Sequence, residues 1–230
     1  MKHTIKPLIL GLSLFVWVSG NVYAAESAVP DAGSSDNAAA VVDQTRSLSV
    51  AEKVQSQFYR GMTSYLEGDY QSAARSFHQA AGQGHANAQF TLGVMYYQGD
   101  GVTQDYKEAI KWYRLAADQG LAPAQFNVGM MYYQGDGVVQ DYQEAARWYA
   151  MVAEQGLAQA QFNLGMMYNL GQGVSQNPVR AYMWADLAAA KDHPKATELR
   201  NTVAEVLAPA DIAKAQQLAK ECQEKNYKGC

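Results

Sequence analysis

The sequence predicts an all-α protein built as a solenoid of stacked helix pairs. Of its 230 residues, 48% are hydrophobic and 17% are charged, a composition that can form a core. When the sequence is compared with itself, glycines, alanines and aromatic residues recur every 36 residues between about residues 84 and 191. Each period holds two stretches with helical spacing of apolar residues, separated by glycines. Repeated units that cannot bury their own apolar faces are typical of a solenoid.

The first 24 residues have the pattern of a secretion signal. Lys2 and Lys6 precede an apolar run of 12 residues that ends at Val18, and Val22-Tyr23-Ala24 supplies a small-residue cleavage site. The run is shorter than the roughly 20 residues of a membrane-spanning helix, which argues against stable membrane insertion. No cysteine follows the site, as a lipobox would require. We therefore expect cleavage after Ala24 and a soluble periplasmic or secreted protein.

Residues 25–50 are rich in Ala, Ser and Asp and contain no aromatic residue. Such a segment buries too little apolar surface to offset the entropy of ordering it, so we expect a flexible linker. Residues 51–83 then contain Gly61, Tyr65 and Phe77, and their second half keeps the 36-residue register of the repeats that follow. This segment is predicted to form a helix pair.

Two recurring residue types predict how the helices of one unit pack. A glycine within the first helix would let the second helix approach closely, at the expense of about 1 kcal/mol of helix propensity. A tryptophan in the second helix is predicted to be the large residue that fills the space between helices. The glycines are Gly93, Gly129 and Gly165, and the tryptophans are Trp112, Trp148 and Trp184. Gly120 and Gly156, just after second helices, are predicted to have positive φ.

The pattern Ala-x-Ala-x-x-x-Leu-Gly-x-x-Tyr, followed by Gly-x-Gly-Val and then Ala-x-x-Trp, resembles the Sel1-like repeat family of tetratricopeptide-like solenoids. The resemblance implies a right-handed α/α solenoid with repeats at 84–119, 120–155 and 156–191. A tetratricopeptide-like unit at 51–83 would precede them, and two capping helices in 192–230 would follow. The third repeat carries Pro178 where Tyr106 and Tyr142 stand, which is typical of a terminal unit.

The cysteines and the missing motifs limit the chemistry. In an exported chain, the two cysteines, Cys222 and Cys230, predict a disulfide, which would stabilise the fold by about 2.5 kcal/mol. The chain has no Gly-x-Ser-x-Gly, no phosphate-binding loop, no Cys-x-x-Cys and no His-Glu-x-x-His motif. A net charge of −4 without a basic run argues against nucleic-acid binding. We expect no enzyme activity, no cofactor and no metal site.

One feature of the first helices predicts a binding surface. Besides the stripe that would pack within the solenoid, each first helix has a second apolar stripe, and the resemblance implies that this stripe lines a concave groove. The predicted binding residues are Phe90, Val94, Tyr97, Gln98, Phe126, Met130, Tyr133, Gln134, Phe162, Met166 and Asn169. The alternative is that these aromatic residues only fill gaps between neighbouring repeats.

The function predicted from these features is an exported scaffold or adaptor that binds a protein or peptide in its concave groove. Two alternatives stay open. Some cysteine-rich Sel1-like relatives are associated with β-lactam binding and hydrolysis, although this chain has no paired cysteines within its repeats and no Ser-x-x-Lys. Other relatives are secreted and bind a host factor.

Overall fold

The computed structural model describes residues 49–230, so the predicted signal peptide and nearly all of the predicted linker lie outside the described residues. The described part is all-helical. Its helices are α1 (Val50–Leu66), α2 (Tyr70–Ala81), α3 (Ala86–Gln98), α4 (Tyr106–Asp118), α5 (Ala122–Gln134), α6 (Tyr142–Ala153), α7 (Ala158–Leu170), α8 (Pro178–Ala189), α9 (Ala196–Ala204) and α10 (Pro209–Glu224). Each helix packs on the next one along the chain up to α9, which confirms the predicted solenoid of helix pairs.

Local residues determine where the helices end and begin. α5 ends at Gly135, whose φ of 80° lies in the left-handed region that suits glycine. The next helix begins after Asp141, whose side chain accepts hydrogen bonds from the backbone N–H groups of Gln143 and Glu144. The same glycine and cap recur 36 residues earlier at Gly99 and Asp105. The chain is thereby turned back on itself once in every unit.

The predicted close approach of the two helices in a unit is confirmed, but the residue that fills it is not tryptophan. A Cβ atom on Gly93 would lie within 2.5 Å of Cε1 in the ring of Tyr113, and one on Gly129 would lie 3.0 Å from the ring of Tyr149. Both tyrosines are buried, whereas Trp112 and Trp148 are only half-buried. The helix rotation places the residue after the tryptophan inside. Only Trp184 is buried as the sequence predicted.

The predicted capping helices, α9 and α10, both pack against α8. Their effect is visible at Leu187, which is 1% exposed in a cluster with Ala219 and Cys222 of α10. The equivalent residues of the two preceding units, Leu115 and Met151, are each 47% exposed because no helix covers them. The C-terminal helices therefore close the apolar face of the last unit.

A disulfide joins Cys222 to Cys230, as the sequence predicted. The residues that it encloses fold back on the start of the third repeat. Lys191 Nζ lies 4.1 Å from the centre of the Tyr227 ring and donates to the carbonyl oxygen of Gly156. The bond thus holds the end of the chain against the solenoid.

Two histidines stand at equivalent positions at the two ends of the three repeats. The ring of His85 stacks on Phe58, with ring centres 4.4 Å apart, and the ring of His193 stacks on Phe162 at the same distance. Nδ1 of His85 accepts a hydrogen bond from the backbone N–H of Ala88 and so caps α3. Leucine occupies the two positions between them, at 121 and 157.

We expect the fold to lose stability in acid partly through His85. Burial lowers the pKa of this histidine below its ordinary value, so the folded state keeps the ring neutral where the unfolded state binds a proton. The free energy of unfolding should therefore fall as the pH drops below about 6.5. Urea unfolding at several pH values between 8 and 5 measures this dependence.

The chain supplies the control, because His85→Leu introduces the residue found at 121 and 157. This variant should lose less stability between neutral and acid pH than the wild type. An unchanged pH dependence would contradict the assignment to His85.

A candidate binding face on the first helices

The predicted binding residues lie on α3, α5 and α7, at equivalent positions in successive repeats. We call the set the first-helix stripe. Near the C-terminal end of α3, the hydroxyl of Tyr97 donates to Oδ2 of Asp136 at 2.9 Å. One repeat later, the hydroxyl of Tyr133 donates to Oε1 of Gln172 at 3.0 Å. Asp136 and Gln172 stand 36 residues apart in the glycine loops, so each tyrosine binds the loop of the following unit.

The pKa of Tyr97 agrees with its role as a hydrogen-bond donor to the loop of the following unit. Burial raises the pKa of Tyr97 well above its ordinary value, and the hydrogen bond and negative charge of Asp136 raise it further. The pKa of Tyr65 is raised in the same way by burial and by Asp100, which stands one repeat before Asp136. These phenols stay protonated and act as donors that join one unit to the next.

Glutamines of the glycine loops hold the ends of the first helices. The side-chain amides of Gln104 and Gln140 each donate to the backbone carbonyl of the stripe tyrosine in their own unit, Tyr97 and Tyr133, at 2.8 Å. In the third repeat Gln176 donates to the carbonyl of Asn169 at 2.9 Å. Sequence analysis missed these glutamines and the loop partners Asp136 and Gln172, although the 36-residue period marks all of them.

Burial divides the stripe along the solenoid. In the first repeat Phe90, Val94 and Tyr97 are all buried, and Phe126 is buried in the second. The half-buried members are Met130, Tyr133, Phe162, Met166 and Asn169. Gln98 and Gln134 are exposed. The stripe therefore becomes more accessible toward the third repeat.

The stripe is more accessible in the third repeat because the helix that packs against it there is shorter than in the first repeat. Phe90 shares a cluster with Ala124 and Val128 of α5, which is a full first helix of 13 residues. Phe162 instead packs against α9, which has only nine residues. Gap filling between repeats accounts for the buried residues, and direct contact with a ligand stays a prediction for the accessible ones.

The described residues offer no alternative site of metal chemistry. Between residues 49 and 230, no group of three or more His, Cys, Asp or Glu side chains lies close enough together to hold a metal ion. Within the same range no helix is long and apolar enough to span a membrane.

Comparisons with known proteins find the same repeat. The family model of the Sel1 repeat matches residues 86–121, 122–157 and 158–193. One similar solved structure is that of a Sel1 repeat protein from Oxalobacter formigenes, whose sequence is 38% identical to this chain and whose structure matches with a TM-score of 0.52. The match covers 56% of this chain and 96% of that one. No curated protein matches the chain significantly.

A second similar structure is c5321, a protective antigen present in uropathogenic Escherichia coli strains that displays an SLR fold. It is 28% identical, with a TM-score of 0.53, over 76% of this chain. The match covers 47% of c5321, so this chain spans about half the length of that protein.

Proposed function

Because the chain belongs to the Sel1 repeat family, we propose that it is an exported scaffold that binds another protein through a peptide segment laid along the concave groove of its first helices. The Sel1 repeat fold generally serves protein–protein interaction. The observation that carries the proposal is the accessible part of the first-helix stripe, which continues from the second repeat into the third.

The chemistry of these residues suits a peptide. Met130 and Met166 present flexible, polarisable side chains that adapt to apolar groups of different shapes. Tyr133 is a rigid ring held by its hydrogen bond to Gln172, so it loses little entropy on binding. The amides of Gln134 and Asn169 offer donors and acceptors to the backbone of an extended segment.

We further propose that the protein works outside the cytoplasm, in the periplasm or beyond it. The disulfide between Cys222 and Cys230 supports this location, because disulfides persist in oxidising compartments. The signal-like pattern of the first 24 residues agrees with it.

Site-directed photo-crosslinking in the cell of origin tests both proposals. We would place p-benzoylphenylalanine at Gln134, on the groove, and at Gln79, an exposed glutamine of α2, as the control. A partner should cross-link from position 134 and not from position 79, and should be found in the envelope or medium. A partner confined to the cytosol would contradict the proposed location but not the proposal that the groove binds a partner.

The affinity for the purified partner then tests whether binding occurs in the groove. Gln98→Ala combined with Gln134→Ala should weaken binding about tenfold, which corresponds to about 1.4 kcal/mol, with an unchanged melting temperature. The matched control is Gln79→Ala with Gln217→Ala, because Gln217 is also exposed. Equal losses in both pairs, or no loss in the first, would contradict binding in the groove.

A further inference from the structure

A cleft of about 260 Å³ lies between α6 and the C-terminal half of α7. Its lining includes Ala146, Ala150, Leu164, Tyr168 and Val174, with Gln143 and Arg147 at the rim. At 100° per residue, Leu164 and Tyr168 lie on the opposite side of α7 from Phe162 and Met166. The cleft is therefore separate from the groove to which the proposed function assigns binding.

The cleft lies where the preceding second helix supplies a large side chain to the tyrosine in the earlier units and an alanine in this one. In the first of three equivalent places, Nε2 of His78 lies 3.0 Å from the hydroxyl of Tyr96. In the second, Arg114 lies over the ring of Tyr132, 5.4 Å from its centre, and donates to its hydroxyl. Tyr168 is the third tyrosine of this series, but the residue 36 positions after Arg114 is Ala150.

A second small residue lines the same cleft. Ala146 stands 36 residues after Ile110, which is buried in the preceding unit, while the unit before that has alanine here, at Ala74. Relative to the immediately preceding unit, methyl groups therefore stand in place of two large side chains on the α6 side of the cleft. The opening is smaller than the 300–1,000 Å³ of sites for whole small molecules, and suits a single large side chain.

The charge beside the cleft is also changed. In the two preceding units, Glu108 and Glu144 form ion pairs with Lys111 and Arg147. The equivalent position in α8 is Arg180, whose guanidinium lies 5.6 Å from the centre of the Tyr168 ring and whose Nη1 donates to the Tyr168 hydroxyl at 3.2 Å. A cation has replaced a carboxylate, and Arg147 provides a second cation at the rim, although Glu144 pairs with it at 2.8 Å. Because Glu144 offsets the charge of Arg147, Arg180 is the cation beside the cleft that has no carboxylate within ion-pair distance among the described residues.

We propose that the cleft is a second docking site, which takes one large apolar side chain of a partner protein whose neighbouring carboxylate pairs with Arg180. The apolar floor of Ala146, Ala150 and Leu164 excludes a bare anion as the occupant. Arg180 favours an acidic segment over a basic one, and a guanidinium binds a carboxylate through paired hydrogen bonds.

Labelled pentapeptides test the proposal by fluorescence anisotropy with the full chain. The probe has one phenylalanine flanked by two aspartates and two glutamates. One control replaces the acids by asparagine and glutamine, and the other replaces the phenylalanine by glycine. The probe should bind saturably, at least tenfold more tightly than either control, and should weaken as salt rises. No saturation up to about 1 mM, or equal binding of all three peptides, overturns the proposal.

The chain itself provides the variants that fill the site. Ala150→Arg and Ala146→Ile restore the residues found at 114 and 110, and Arg180→Glu restores those at 108 and 144. Each filling variant should reduce probe binding at least tenfold, and Arg180→Glu should remove the preference for the acidic peptide. Gln79→Ala, at an exposed residue of α2 away from both the cleft and the groove, should change nothing. Unchanged probe binding in the filling variants overturns the proposal. The proposal is also overturned if the wild type self-associates and Ala150→Arg converts it to a monomer, because the occupant of the cleft is then a second copy of this chain.

Discussion

Replacing Tyr149 by alanine is expected to lower the free energy of unfolding by about 3–5 kcal/mol, as for other large aromatic residues removed from a core. The side chain is 2% exposed and its ring centre lies 5.4 Å from that of Phe126. It also lies against Gly129 of the partner helix. Its removal leaves a cavity that the two helices cannot close without giving up their other contacts. Urea unfolding followed by circular dichroism measures the change.

Trp148→Ala is the matched control, because Trp148 is the neighbouring residue on the same helix and is larger than tyrosine. It is half-buried, so its removal should cost clearly less, about 1–2 kcal/mol from the smaller apolar area exposed to water. A larger loss for Trp148 than for Tyr149 would show that the tryptophan is the principal filler, as the sequence had suggested.

Replacing Gly93 by alanine is expected to destabilise the protein by about 1–3 kcal/mol, the usual range for overpacking. Alanine gains up to about 1 kcal/mol of helix propensity over glycine, but its Cβ would overlap the ring of Tyr113. Gly165→Ala is the control, since the nearest atom to its Cβ would be the carbonyl oxygen of Ala181 at 3.3 Å. The free energy of unfolding of that variant should stay within about 1 kcal/mol of the wild-type value, because the gain in helix propensity offsets a milder steric contact.

A double-mutant cycle identifies the cause of the Gly93 effect. Once Tyr113→Ala has removed the ring, the further change Gly93→Ala should no longer destabilise the protein. Additive losses in the cycle would mean that the cost comes from the α3 backbone and not from the contact with Tyr113.

The sequence by itself determined the helix pairs, their 36-residue period and the residues at which the first helices end. These features follow from local requirements that single residues meet. Gly135 allows the positive φ that ends α5, and Asp141 accepts the hydrogen bonds that start α6. Each requirement depends only on residues a few positions away, so it can be read in one unit and checked in the next.

Only the tertiary structure decided which side chains of each unit are inside. Trp148 and Tyr149 are adjacent, and their spacing alone does not show which of them faces Gly129. The first helices are apolar on two sides, so the sequence did not show that Phe90 is covered by the next unit while Met166 stays partly exposed. The cleft beside Tyr168 likewise depends on which side chains the neighbouring helices bring to that ring, with Ala150 lining it where Arg114 contacts Tyr132 in the preceding unit. Burial is set by neighbours 18 to 36 residues away, and their contacts exist only once the units have stacked.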